Sequence, residues 1–157
     1  MPVNAQNDVR FQRLGSDANG NALLLWTESD GMRTALKAVR VTSVACGAVQ
    51  VIDSAVGGGA GRADLGVDPQ GNAVAIWQQF EGGRPDDGSR SNIAINRFDR
   101  ATGAWAKAVL VETQTGNAIS PSTSANGGQA LLGWIQSEGG ANRVKALLQP
   151  LANTPSQ

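Results

Sequence analysis

The stretch 68–77, DPQGNAVAIW, decides the fold of this chain because it is repeated. Residues 17–26 read DANGNALLLW, and residues 125–134 are a more divergent copy, ANGGQALLGW. Each copy combines a glycine-containing turn with an alanine and a final tryptophan, and the three tryptophans are 51 and 57 residues apart. Self-similarity at a period of about 50 residues is the mark of a repeat architecture. We therefore predict one repeat domain over residues 1–157, with repeats at approximately 9–58, 59–116 and 117–150.

The turn that opens each copy has a readable chemistry. In the second copy, Asp68 comes first, Pro69 second and Gly71 fourth. This order matches a type I turn followed by a glycine in the left-handed region, a common hairpin closure. The carboxylates of Asp17 and Asp68 are expected to accept hydrogen bonds from the backbone of their own turns. A role as metal ligands is disfavoured, because the third copy has alanine at this position and no second carboxylate lies at ligand spacing.

Apolar runs on both sides of each turn predict short β-strands, about four per repeat. In the strand after the second turn, alanines and Trp77 occupy one face, and Val74 and Ile76 occupy the other. Because both faces are apolar, this strand is expected to be covered on both sides. The predicted strands are 9–16, 62–67 and 119–124 before the turns; 21–28, 72–79 and 129–136 after them; 33–41, 91–98 and 142–149; and, as fourth strands, 48–53 and 105–113.

Four-stranded antiparallel units with two apolar faces cover one another when they stack around an axis, as the blades of a β-propeller do. The sequence thus predicts an all-β, β-propeller-like fold with about three blades per chain. Trp26 and Trp77 occupy the same strand position and are expected to be buried between blades. A β-sandwich is the alternative fold. The regular repeat argues against it, because sandwich strands need not recur at fixed intervals.

The number of repeats also predicts assembly. Three blades cannot close a ring, since propellers typically contain four to eight. The third repeat is short, because the residues after Pro150 contain no apolar run for a fourth strand. An open ring would expose apolar faces and unpaired strand edges. We therefore expect either a homodimer with six blades around a two-fold axis or a chain that is one piece of a longer propeller.

Composition argues against several classes of function. Lys+Arg and Asp+Glu both number 13, so the chain lacks the basic excess that nucleic-acid binding needs. No apolar run reaches the about 18 residues of a membrane span, and residues 1–8 lack the features of a signal peptide. Without His, there is neither an imidazole base nor a His-containing metal site, and no cofactor or metal is expected. Cys46 is expected to be a small buried residue, and the glycine-rich run 57–61 a flexible connection between repeats.

The motif Asp-x-x-Gly-Asn-Ala-x-x-x-Trp, together with the Thr-Gly-x-Trp turn that ends at Trp105, resembles the propeller-type repeats of large bacterial extracytoplasmic proteins. Most members of that group have no assigned activity. The resemblance covers roughly residues 9–150. It implies a propeller fold and a periplasmic or secreted location, and it implies no catalytic residue.

Three classes of function remain. The sequence favours a non-enzymatic scaffold or interaction module. A module of the same fold that binds a carbohydrate or another small ligand is the alternative, and a glycoside hydrolase-like enzyme is the third possibility. A hydrolase would need two carboxylates at about 5–9 Å from each other. Nothing in the sequence pairs any two of the candidates, which are Glu28, Asp64, Glu81 and Glu112.

Any ligand is expected near the axis, where the first strands of the repeats converge and line a channel. Those strands are the least apolar, and they contribute Arg13, Arg62 and Asp64. Arginine favours anionic or hydroxyl-rich partners because its guanidinium presents forked donors. Trp105, at the edge of a turn, is a further candidate as a stacking platform for a sugar.

Overall fold

A computed structural model describes residues 8–112 and 115–151. Within these residues the chain is all-β and contains no helix. Accordingly, the described part of the chain offers no helix that could cross a membrane. The strands are β1 (Asp8–Ser16), β2 (Ala22–Ser29), β3 (Thr34–Val41), β4 (Gln50–Val51), β5 (Gly59–Val67), β6 (Ala73–Phe80), β7 (Ser91–Asp99), β8 (Ala104–Trp105), β9 (Val109–Glu112), β10 (Ala118–Asn126), β11 (Gln129–Glu138) and β12 (Ala141–Pro150).

The strands form three antiparallel sheets, and each sheet is built from consecutive strands. The first has the order β1-β2-β3-β4, and the third has the order β10-β11-β12. The second has the order β5-β6-β7-β8, with β9 also paired to β7. The single fourth strand predicted over 105–113 is thus divided into two short strands, and residue 113 lies outside the described residues. The three sheets do not close on one another, and β12 is an open edge in the described part of the chain.

The sheets stack face to face. Between the first and second sheets, Leu25 and Leu36 pack in one cluster with Trp77, which is fully buried. Between the second and third sheets, Ile76 packs in a second cluster with Trp134. The prediction that β6 is covered on both of its faces is therefore confirmed. At both junctions the tryptophan points back toward the preceding sheet.

Trp26 differs from its two counterparts. It is buried, at 7% exposed, as expected. However, Leu25 faces the second sheet, and successive side chains of a strand point to opposite faces. Trp26 therefore points away from the second sheet. The expected burial of Trp26 is confirmed, but in the described residues no sheet precedes the first sheet on the side that carries Trp26.

Glycines allow the inner strands β1, β5 and β10 to approach one another closely. A Cβ atom on Gly15 would lie 2.5 Å from Cγ2 of Val67 in the second sheet. A Cβ atom on Gly66 would lie 3.1 Å from Cβ of Ala125 in the third sheet. These glycines form the Leu-Gly pairs shared by the first two repeats. Each pair therefore marks a site where one sheet meets the next.

Two local expectations are wrong. The glycine-rich run is not simply a flexible connection, because β5 begins within it at Gly59. A Cβ atom on Gly59 would lie 2.1 Å from the carbonyl oxygen of Gly83, so close packing requires glycine there. Cys46 is exposed rather than buried. It lies in the connection between β3 and β4, where it forms an antiparallel β-bridge with Val41.

Candidate functional site

The aspartates of the repeated turns organise their own backbone. Asp17 accepts hydrogen bonds from the backbone N–H of Asn19 at 2.8 Å and of Asn21 at 2.9 Å, and from Asn21 Nδ2 at 2.8 Å. Asp68 likewise accepts the backbone N–H of Asn72 at 2.9 Å. Donors to the charged form lower the pKa of Asp17, with the side chain of Asn21 as the largest cause. The predicted role of these aspartates within their turns is confirmed.

A tryptophan hydrogen bond recurs in all three sheets. The indole Nε1 of each repeated tryptophan donates to the side-chain oxygen of the residue two positions later, on the same face of the strand. The acceptors are Glu28 at 3.2 Å, Gln79 at 2.6 Å and Gln136 at 3.3 Å. All three acceptors are buried. The sequence carried the signal as a Trp-x-Glu/Gln pattern, but it was not recognised there.

Asp64 connects all three inner strands. One carboxylate oxygen, Oδ1, accepts Nε of Arg13 from β1 at 3.3 Å. The other, Oδ2, accepts the backbone N–H of Thr123 from β10 at 2.9 Å. Of the predicted site residues, the structure thus brings Arg13 and Asp64 together. Because the Arg13 side chain is 45% exposed and that of Asp64 is 25% exposed, the pair is accessible to solvent.

Arg62 and Trp105 lie apart from this pair. Arg62 is exposed on β5 and forms no ion pair with another described residue. Trp105 is half-buried and packs against Phe98, with ring centroids 5.5 Å apart and planes inclined at 58°. Its strand β8 is three strands from β5 in the second sheet, or about 14 Å at the usual strand spacing. Trp105 therefore does not form one site with Arg13 and Arg62.

A pocket of about 390 Å³ lies at the opposite end of the inner strands from the aspartate turns. The start of β1, the turn between β2 and β3 and the loop between β6 and β7 line it. Its charges are largely satisfied internally. Arg10 pairs with Asp8 at 2.6 Å, and Arg84 pairs with Asp86 at 3.5 Å and donates to the carbonyl oxygen of Gly31 at 3.2 Å. The sequence analysis did not predict this pocket, because its walls come from three separate parts of the chain.

Three of the four carboxylates considered for hydrolysis are held by groups of the fold, and the fourth, Glu112, is buried at the end of β9. Glu28 pairs with Lys37 at 2.8 Å, and Glu81 pairs with Arg90 at 2.6 Å. Asp64 is held by β1 and β10, as described above. No group of three or more potential metal-ligating side chains occurs in residues 8–112 and 115–151. In the Arg13–Asp64 pair, the more accessible charged group is the Arg13 guanidinium, whose side chain is 45% exposed.

No family model matches the chain, and no curated protein is detectably similar to it.

Proposed function

We propose that the chain is a non-enzymatic interaction module of the β-propeller type, whose ring is completed by sheets from outside these residues. The observation that carries the proposal is the outer face of the third sheet, which points away from the second sheet. On this face, Leu131 is 52%, Val144 83% and Leu148 60% exposed. Soluble proteins rarely leave such a contiguous apolar surface open unless it binds something.

The equivalent positions of the other sheets are closed. By strand register, Val144 corresponds to Leu36 in the first sheet and to Ile93 in the second. Both of those side chains are 0% exposed, because the next sheet covers them. The third sheet also lacks a fourth strand in the described residues and leaves β12 as an open edge. A face and an edge that are both unsatisfied support a ring that continues beyond the third sheet.

The absence of an assembled acid–base pair among the described residues favours a scaffold over a hydrolase. The Asp64 contacts join three strands, and the Glu28 contacts join a strand pair and a tryptophan. These are structural tasks, because each carboxylate is held by groups of the fold itself. The proposal is therefore a module that presents surfaces rather than one that carries out a reaction.

A second candidate function rests on Arg62, which is exposed and lies on the same strand as Asp64. An exposed guanidinium two residues before Asp64 on β5 suits an anionic or hydroxyl-rich ligand. A glycan and anion binding screen, repeated with Arg62→Ala and with Trp105→Ala, tests this function. Loss of a hit with Arg62→Ala alone would support an axial ligand site. Full retention of affinity in an Arg13→Ala/Arg62→Ala double variant would eliminate that site.

Light scattering during size-exclusion chromatography, combined with binding of the dye ANS, tests the main proposal. A ring completed from outside predicts that the isolated chain either assembles or keeps dye-accessible apolar surface. A stable monomer of 16.2 kDa that does not bind ANS would refute the proposal. That result would favour the self-contained, sandwich-like alternative instead.

A further inference from the structure

We propose that the missing sheets are those of a second copy of this chain, and that the outer face of its third sheet docks on the Trp26 face of its partner's first sheet. Two such contacts, related by a two-fold axis, would place six sheets around one centre. This inference rests on the proposed function, since it names the partner that completes the ring.

The internal repeat indicates which face of a second copy would pack against the Trp26 face. At both junctions within the chain, a face without a tryptophan packs against a face that carries one: Leu36 meets Trp77, and Ile93 meets Trp134. Two end faces are left over. The third sheet ends in a face without a tryptophan, on which Val144 corresponds to Leu36 and Ile93. The first sheet begins with the face that carries Trp26. Each end face is therefore the counterpart of the other, and neither is the counterpart of itself.

Leu14 is the residue of the Trp26 face that most clearly lacks a covering sheet. It pairs directly with Leu24, so both lie on the face that carries Trp26. Its counterpart in the second sheet, Leu65, is partly buried because it packs against the cluster between the first and second sheets. Leu14 occupies the same position but is 70% exposed. The missing cover for Leu14 is therefore the equivalent of the outer face of a preceding sheet.

The charges on the two end faces are compatible with contact. The outer face of the third sheet presents five apolar side chains, which are Leu131, Ile135, Val144, Ala146 and Leu148. On the Trp26 face, Glu28 and Lys37 neutralise each other at 2.8 Å. The formal net charge of the chain is zero, so two copies do not repel each other through net charge. Burying an apolar face against a neutralised pair leaves no new charge without a partner.

Strand geometry gives an upper bound on the area of the contact. Three strands of about eight residues cover about 14 Å by 26 Å, or roughly 370 Å² per face. Two contacts bury at most roughly 1,500 Å² in total, because Trp26 and Val39 on the receiving face are already buried, at 7% and 1% exposed. A single contact would bury half of that. Closing the ring therefore doubles the buried area, because it adds a second contact of the same size as the first.

The inner strands would meet at the new junctions without the glycine that lies at both junctions within the chain. Within the chain, Gly15 meets Val67, and Gly66 meets Ala125. By register, the next pair would be Ser124 of one copy and Ser16 of the other. The third repeat lacks the glycine, but the residue opposite it is smaller than Val67. The pair therefore requires no large side chain to be accommodated at the junction.

The test uses one charged substitution on each face. Leu14→Glu alters the Trp26 face, and Val144→Glu alters the outer face of the third sheet. Val44→Glu is the matched control, because Val44 is 91% exposed in the connection between β3 and β4 and lies on neither face. Light scattering should give twice 16.2 kDa for the wild type and the control. Each face variant should raise the dimer dissociation constant by about 100-fold or more, since a carboxylate in an apolar contact loses hydration without gaining a partner.

Mixing the two face variants distinguishes the geometry. A heterodimer of Leu14→Glu and Val144→Glu chains keeps one unaltered contact, so the mixture should dimerise more tightly than either variant alone. Far-UV circular dichroism confirms that each variant is folded, and Leu14→Ala and Val144→Ala provide milder substitutions if one is not.

Three results would overturn the inference: a wild-type chain that is not a dimer, a dimer that tolerates either face variant at wild-type affinity, or a mixture no tighter than its components. If the dimer is lost with Val144→Glu but not with Leu14→Glu, the contact is third sheet to third sheet, and head-to-tail docking is wrong. A wild-type monomer that binds ANS would overturn this inference alone. The proposed function would then stand, with the rest of a longer chain as the partner.

Discussion

Replacing Trp77 with alanine removes the largest fully buried side chain of the molecule's described part. Trp77 is 0% exposed and packs against Leu25 and Leu36 across the junction between the first and second sheets. Truncation of a buried Phe or Trp typically costs about 3–5 kcal/mol, because apolar contacts are lost and the cavity does not fully collapse. The indole also donates to Gln79 at 2.6 Å. Leaving that buried acceptor without a donor costs about 1–3 kcal/mol, so we expect the loss in the upper part of the range, about 4–5 kcal/mol.

Equilibrium unfolding in urea, followed by circular dichroism at one protein concentration, measures this loss. A fixed concentration is needed because any assembly makes the apparent stability depend on it. Trp77→Phe keeps most of the packing but removes the N–H, and it should lose about 1–3 kcal/mol. Trp105→Ala is the matched control, because Trp105 is only half-buried and contributes chiefly its contact with Phe98. It should lose about 2 kcal/mol.

Two results would contradict this account of Trp77. One is a loss below about 1 kcal/mol for Trp77→Ala, far outside the range for buried aromatic residues. The other is a loss no larger than that of Trp105→Ala. If Trp77→Ala does not fold, which is plausible where the whole stability is about 5–15 kcal/mol, the phenylalanine variant still tests the hydrogen bond.

Three further predictions concern the turns, a buried ion pair and the glycine junctions. Asp17→Ala should lower the free energy of unfolding by about 1–3 kcal/mol at pH 7. Because the pKa of Asp17 is lowered in the folded protein, this difference from wild type should shrink as the pH falls below 3.8, the ordinary pKa of an aspartate. Urea titrations at several pH values measure it. Burial raises the pKa of Asp53 despite its ion pair with Arg33. The wild type should therefore lose stability relative to Asp53→Asn as the pH rises from 3.8 through the raised pKa. A stability difference that changes with pH in the opposite direction would contradict this. Gly15→Ala should cost about 1–3 kcal/mol through overpacking against Val67, and Val67→Ala in the same chain should recover part of it; equal losses with and without Val67→Ala would show that the contact is not responsible.

The sequence predicted the strands that contain the repeated tryptophans. It did not predict the close contacts between sheets or the exposure of the connections. The second strand of each repeat was placed to within one or two residues, because a turn precedes it and a tryptophan lies within it. The close packing at Gly15 and Gly59 was not predicted, since a glycine in a sequence does not show which atoms of another strand approach it. Cys46 was misplaced for a related reason. Its apolar neighbours favour burial, but it forms a β-bridge with Val41 in a connection whose residues 43–49 are all exposed.

The candidate site was predictable only as a set of residues on the inner strands. Arg13 and Asp64 occupy equivalent positions in two repeats, and identical repeats would have placed like residues side by side. The divergence of the repeats puts a cation opposite a carboxylate instead. Their contact also depends on the lateral offset between neighbouring sheets, which strand periodicity does not report. The pocket at the other end was beyond sequence reasoning, because three distant segments form it.

The unlike faces at the two ends of the stack have a consequence for growth. A contact between two copies of the same face is complete once those two faces have met. A body whose ends are different always presents one free end of each kind, so its association ends only when the accumulated rotation brings the last end back to the first. If that rotation misses closure, the same contacts build an open fibre. In the proposed assembly, the angle between neighbouring sheets, which close packing at Gly15 and Gly66 helps to set, would decide between a finite ring and a polymer.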